Sequence, residues 1–176
     1  MHPTVVSSWY ATAEDLAEVT EKLKRAHSTL AVAVEAFPVR NWESAAPDGG
    51  WSAGQIVEHI FLAQQVLREE VHLHLQDVAR PELLSIMDKQ RSRLQMYLPG
   101  GGKAQAGKRS TAFRGLRPEG TMVEIASAEQ AFSSLLRTAE AYPIKVIAWE
   151  SPFFGELSAF LGQTQQRCHR GQSVWP

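Results

Sequence analysis

TAEDLAEVTEKLKRAHSTLAVAVEAFP, residues 12–38, carries a strong helical period. Leu16, Val19, Leu23, Ala26, Leu30, Val34 and Phe37 recur at steps of three and four, which places them on one face of a helix. Thr12 followed by Asp15 offers a capped start, and Pro38 marks the stop. The opposite side, with Glu14, Glu18, Glu21, Lys24 and Arg25, reads as a solvated face. A long amphipathic helix of this kind must bury its stripe against other elements, so the rest of the chain has to supply partners.

Moving outward, residues 39–50 form a loop by their Pro, Asp and Gly-Gly content. Ser52 and Gln55 then match a capping box, predicting a second helix from Ala53 to about Asp77 with the stripe Ile56, Ile60, Ala63, Leu67 and Val71. His59 falls on that apolar side. Pro81 suits the first turn of a third helix carrying Leu84, Met87, Leu94 and Leu98, closed by Pro99 and three glycines. Residues 103–126 show no sustained period and read as a long connection. Ser127 and Gln130 repeat the capping pattern ahead of Ala128, Ala131, Phe132, Leu135, Leu136 and Ala139. Residues 145–149, KVIAW, look extended. A last helix is expected from Phe154 or Gly155 to Gln172, with Leu157, Leu161, Gln165, Cys168, His169 and Gln172 facing inward.

Four or five amphipathic helices with little strand signal predict an all-α fold, a four-helix bundle with a long crossover connection and room for one extra helix. With 176 residues the chain is expected to be a single domain, 1–176. Cationic side chains number 18 and acidic ones 19, a net charge of −1 that argues against a dedicated nucleic-acid binder. No apolar run approaches a membrane span and the start lacks a basic, apolar leader, so a soluble cytoplasmic protein is expected. The single cysteine, Cys168, excludes a disulfide framework and a cysteine-cluster zinc site. It is read as a small half-buried residue, because His169 beside it would point about 100° away around the helix.

His59 and His169 project from apolar helix faces, and Gln165 shares a face with His169 at a spacing of four. Facing helices can bring such donors together around a divalent ion. The same three side chains could equally be a hydrogen-bonded polar cluster in a core. His72 and His74 cannot share a helix face and read as surface residues; His2 and His27 carry no signal. Between Lys89 and Arg117 stand eight basic residues and no acidic one: Lys89, Arg91, Arg93, Lys103, Lys108, Arg109, Arg114 and Arg117. This is either a solvated loop or a cationic rim for an anionic ligand. Phe113 is the only aromatic in residues 100–120, so a stacking platform for single-stranded nucleic acid is missing.

Three segments in this order resemble the DinB/YfiT-like superfamily of small bacterial four-helix bundles. They are WSAGQIVEHI at 51–60, AFRGLRPEG at 112–120, and SPFFGELS at 151–158 followed by HRGQ at 169–172. The resemblance spans most of residues 12–172. It implies a metal site made by His59 on the second helix and by positions 165 and 169 on the last, where this chain has Gln165 and His169. Cys168 and Ser151 also depart from the family pattern. The implied cofactors are one divalent ion (Zn, Ni or Fe) and a low-molecular-weight thiol. The resemblance implies metal-dependent transfer or isomerisation with such a thiol. The reaction expected here is a transfer or hydrolysis using that thiol or water, with the cationic stretch, Arg114 and Arg117 in it, expected to hold an anionic substrate. The alternative is a non-catalytic bundle that binds a small molecule and has lost its metal. A homodimer accords with the resemblance.

Overall fold

In the computed structural model, residues 6–97, 108–151 and 155–159 are described, with side chains omitted at 93–97, 151 and 155. Helix α1 spans Ala13–Ala36 and is capped as expected: the Thr12 hydroxyl accepts the Asp15 N–H at 3.1 Å, and the Asp15 carboxylate accepts the Thr12 N–H at 2.8 Å. Helix α2 spans Ala53–His74 behind the reciprocal Ser52–Gln55 box. Helix α3 spans Glu82–Tyr97 and helix α4 Pro118–Ala139. A two-stranded antiparallel sheet follows, β1 (Ala148–Ser151) against β2 (Gly155–Ser158), with Trp149 opposite Leu157. The protein is mostly helical. Among the described residues no helix is long and apolar enough to cross a membrane.

Two apolar clusters hold α1, α2 and α4 together. One joins Leu16, Val19 and Leu23 of α1 to Val71 and Leu75 at the end of α2 and to Phe132, Leu135, Leu136 and Ala139 late in α4. The other joins Val34 at the end of α1 to Ala53, Val57 and Phe61 early in α2 and to Ile125 and Ala128 early in α4, with Trp42 between them. The start of α1 therefore meets the ends of both partners: α1 runs antiparallel to α2 and α4, and those two run parallel. Parallel neighbours cannot be joined by a tight turn, so the chain must travel back along the molecule between them. Helix α3 lies on this return path.

Trp42 shows how closely the elements approach. Its indole is buried, its Nε1–H donates to the Leu116 carbonyl at 2.7 Å, and it presses on the first turn of α2. A Cβ on Gly54 would lie 2.6 Å from that nitrogen. Only a residue without a side chain fits there.

Helix α3 and the hairpin form a smaller layer. Leu83 is fully buried, and Met87 packs with Leu67 of α2 against Trp149 and Leu157. The Gln90 side-chain amide donates to the Glu156 carbonyl at 2.9 Å. The Arg80 guanidinium bonds Glu82 at 2.8 Å and also pairs with Glu156, while its backbone N–H donates to the Val146 carbonyl at 2.6 Å.

Several sequence expectations need correction. Helix α4 begins at Pro118, nine residues before the expected Ser127 cap, so residues 118–126 are helix and not connection. Pro118 occupies the first turn, where its missing N–H has no intrahelical partner to lose, and Thr121 and Ile125 are buried. The expected start of a last helix at 154–155 is instead strand β2, because residues 155–158 pair with β1 and bury Leu157. The remainder of that expected helix, including Gln165, Cys168 and His169, lies outside the described residues. In 145–149 regular strand begins only at Ala148, although Val146 and Ile147 are fully buried. The inward face of α2 is Val57, Phe61, Gln64 and Val71, turned from the expected stripe; Ile56, Ile60, Ala63 and Leu67 are half-buried. Among the described side chains of α3 the buried positions are Leu83 and Gln90, while Leu84 and Met87 are half-buried.

Candidate functional site

His59 sits in the second turn of α2, half-buried, on the side of the helix that meets the 3-10 turn Lys108–Thr111. Its Nδ1 lies 2.8 Å from the Ser110 carbonyl oxygen. A carbonyl only accepts, so Nδ1 carries the proton and, in the neutral ring, Nε2 is the nitrogen with the lone pair. The Trp51 ring meets the imidazole edge-on at 4.9 Å between centroids, and Phe113 meets Trp51 in the same manner at 5.3 Å. Trp51, itself backed by Phe113, limits how the imidazole can turn.

The turn that supplies the Ser110 carbonyl is itself anchored to α2. Arg109 reaches back along the helix to pair with Glu69 and, at 2.6 Å, with Glu70. The following segment is held by Glu58, whose side chain is 1 % exposed. Its carboxylate accepts backbone N–H groups from Arg114 at 2.5 Å, Gly115 at 3.0 Å and Leu116 at 3.1 Å, and Nε–H of Arg114 at 3.3 Å. Burial by itself would raise this carboxyl. The hydrogen bonds from Leu116, Arg114 and Gly115 outweigh it and hold the group below its ordinary value. Gly115 turns at φ +81°, a left-handed conformation that lets successive N–H groups converge on one anion.

Both arginines expected to meet a substrate are engaged in ion pairs. Arg114 bridges Glu58 and Glu124, the latter at 3.3 Å. Arg117 pairs with Glu43 at 2.8 Å, and both partners are largely exposed. An exposed pair contributes about 0–1 kcal/mol, so Arg117 can exchange its partner cheaply. Arg114 is braced twice and its own N–H is committed to Glu58.

Of the expected donor set, only His59 lies within the described residues; Gln165 and His169 lie outside them. Among the described residues no three His, Cys, Asp or Glu side chains cluster as a metal site would require.

Sequence reasoning passed over two polar positions. Glu58 was overshadowed by the neighbouring histidine, although an acidic residue two places past Ile56 in an apolar-flanked helix start was a visible signal. His27, read as carrying none, is 2 % exposed at the centre of the bundle. Its Nδ1 lies 3.2 Å from Glu129 of α4 and its Nε2 3.2 Å from the side-chain nitrogen of Gln64 on α2. The carboxylate can only accept, so Nδ1–H donates to Glu129 and the Gln64 amide donates to Nε2. Four residues past Leu23 and seven before Val34, His27 sat on the apolar stripe from the outset.

The fold and site together define a mostly helical protein with one histidine held in a fixed tautomer beside a backbone-wrapped carboxylate. No family model matches the chain, and no curated protein or solved structure matches it either.

Proposed function

We propose that this chain is a DinB/YfiT-like bundle with a degenerate divalent-metal site at His59, Gln165 and His169, serving a transfer or hydrolysis reaction that uses a low-molecular-weight thiol or water. The observation that carries the reading is the Nδ1–H to Ser110 carbonyl bond of His59. Metal-bound histidines commonly donate their second nitrogen to a carbonyl, which fixes the ring and raises the basicity of the coordinating nitrogen. His59 has that arrangement, so the donor that the structure describes fits a divalent ion. A bound ion would lower the pKa of a thiol or water held against it and so supply a nucleophile near neutral pH.

The chain's own residues have separate tasks in this reading. Ser110 orients His59, Trp51 packs edge-on against its ring, and Phe113 backs Trp51. Glu58 holds the 114–116 backbone against α2, shortly after the turn that carries Ser110. Arg117 is the cation that can leave its exposed partner for an anionic substrate.

The test is elemental analysis of protein purified without chelator, beside the His59→Ala and His169→Ala variants. About one Zn, Ni or Fe per chain is expected in the wild type, with loss in both variants. Wild-type protein that remains metal-free after Zn²⁺ or Ni²⁺ addition would overturn the metal reading in favour of a bundle that binds a small molecule without an ion.

A further inference from the structure

On the opposite side of α2 from His59, a cavity of about 250 Å³ opens between α2 and α4. Arg68 is nine residues, or about two and a half turns, beyond His59, which puts the two side chains on opposite faces. The cavity is lined by Arg68, Gln65 and Leu62 of α2, Glu124 and Ser127 of α4, and Arg114, with Phe61 and Ala128 at its base.

Arg68 is the feature that needs explaining. It is half-buried, yet among the described residues its guanidinium makes no hydrogen bond and no ion pair. Burial pulls the group below its ordinary value, and the nearby charge of Glu69, a carboxylate bonded to Arg109 and Gln65, offsets this only in part. A guanidinium has five N–H donors in a planar fork, and leaving them without acceptors in a partly desolvated place is costly. The other arginine of the cavity shows the contrast: Arg114 holds two carboxylates. Ser127 of α4 also lines the cavity and is exposed, so its hydroxyl is available as a donor. The charge of Arg114 is answered by Glu58 and Glu124, which leaves Arg68 as the lining cation with no carboxylate bonded to it among the described residues.

We propose that this cavity is a binding site for a small oxyanion, the carboxylate or phosphate group of a polar ligand, held in a bidentate contact by Arg68 with the Ser127 hydroxyl as a second donor. Arg68 suits this role because its fork matches the spacing of two oxygens on one carbon or phosphorus. Glu124, already tied to Arg114, bounds the site on the α4 side. The site is independent of any metal at His59.

Titration calorimetry with inorganic phosphate and with acetate, at matched ionic strength, tests the proposal and separates the two chemistries. Saturable binding of one or both is expected in the wild type. Arg68→Gln should weaken it by roughly ten- to a hundredfold, while Arg25→Gln, an exposed change on α1, should leave it unaltered. Ser127→Asp provides a second variant at an exposed helical position, keeping Arg68 and placing a like charge where the anion would sit; it should abolish binding. The proposal is overturned if neither anion binds the wild type, or if both Arg68→Gln and Ser127→Asp bind as the wild type does. Because the titration uses no metal and no turnover, its outcome stands apart from that of the metal analysis.

Discussion

Glu58 does for the 114–116 segment what a capping residue does for a helix: one buried carboxylate gathers several N–H groups that would otherwise lack acceptors. Glu58→Gln keeps the shape but replaces one accepting oxygen with an NH₂ that would face other donors. We expect it to lower the unfolding free energy by about 2–3 kcal/mol in urea denaturation at neutral pH. The pH dependence follows from the direction of the shift. The folded carboxyl lies below its ordinary value of 4.5, so its contribution is fully present above that value and is lost as pH falls through the depressed folded one. The gap between wild type and Glu58→Gln should therefore narrow on acidification below 4.5. A gap that stays constant through that range would show that the charge of Glu58 does not stabilise the fold.

At the scale of the elements, the bundle of α1, α2 and α4 is divided by one polar layer. His27, Gln64 and Glu129 lie between the two apolar clusters and take one side chain from each helix. A one-turn slip of any helix would set a polar group against hydrocarbon, so the layer favours a single register at some expense in stability. His27→Ala should cost about 1–3 kcal/mol, because it leaves the Gln64 amide buried without its partner. Adding Gln64→Leu removes the orphaned amide, and the double variant should be more stable than His27→Ala alone. Strictly additive losses in a thermal denaturation series would argue that the two side chains are not coupled. Helix α3 and the hairpin are tied on differently, through Leu83, the Gln90–Glu156 bond and the Arg80 pairs. Arg80→Ala should increase amide hydrogen exchange in 82–92 and 155–158 while leaving 13–36 and 118–139 protected, since the apolar clusters of the three-helix part do not depend on it. Equal deprotection of all four segments would show that the two layers unfold as one unit.

For the molecule as a whole, the parallel run of α2 and α4 is the organising fact, and it creates both sides of α2 on which a ligand could act. One side carries His59 and the turn that orients it; the other carries Arg68 and the cavity against α4. What could be read without coordinates was whatever depends on neighbours three or four residues away. The caps at Thr12 and Ser52, the stripe of α1 and the helical character of the chain all follow from local periodicity and short-range hydrogen bonds, and each is present. The start of α4 was missed because Pro118 and Gly120 read as breakers, although a proline is well suited to a first helical turn. Strand β2 was missed because Gly155–Ser158 becomes a strand only through its pairing with Ala148–Ser151. The roles of polar groups were the least legible. Glu58 bonds residues 56 to 58 positions away, and His27 meets partners 37 and 102 positions away. Local geometry alone makes α1 and α2 and their caps legible in the residues, because periodicity and short-range hydrogen bonds need no distant partner. Tertiary structure alone decided which polar side chains are buried, which are paired, and that Arg68 is left facing a cavity, because desolvation and hydrogen bonding act through distant neighbours.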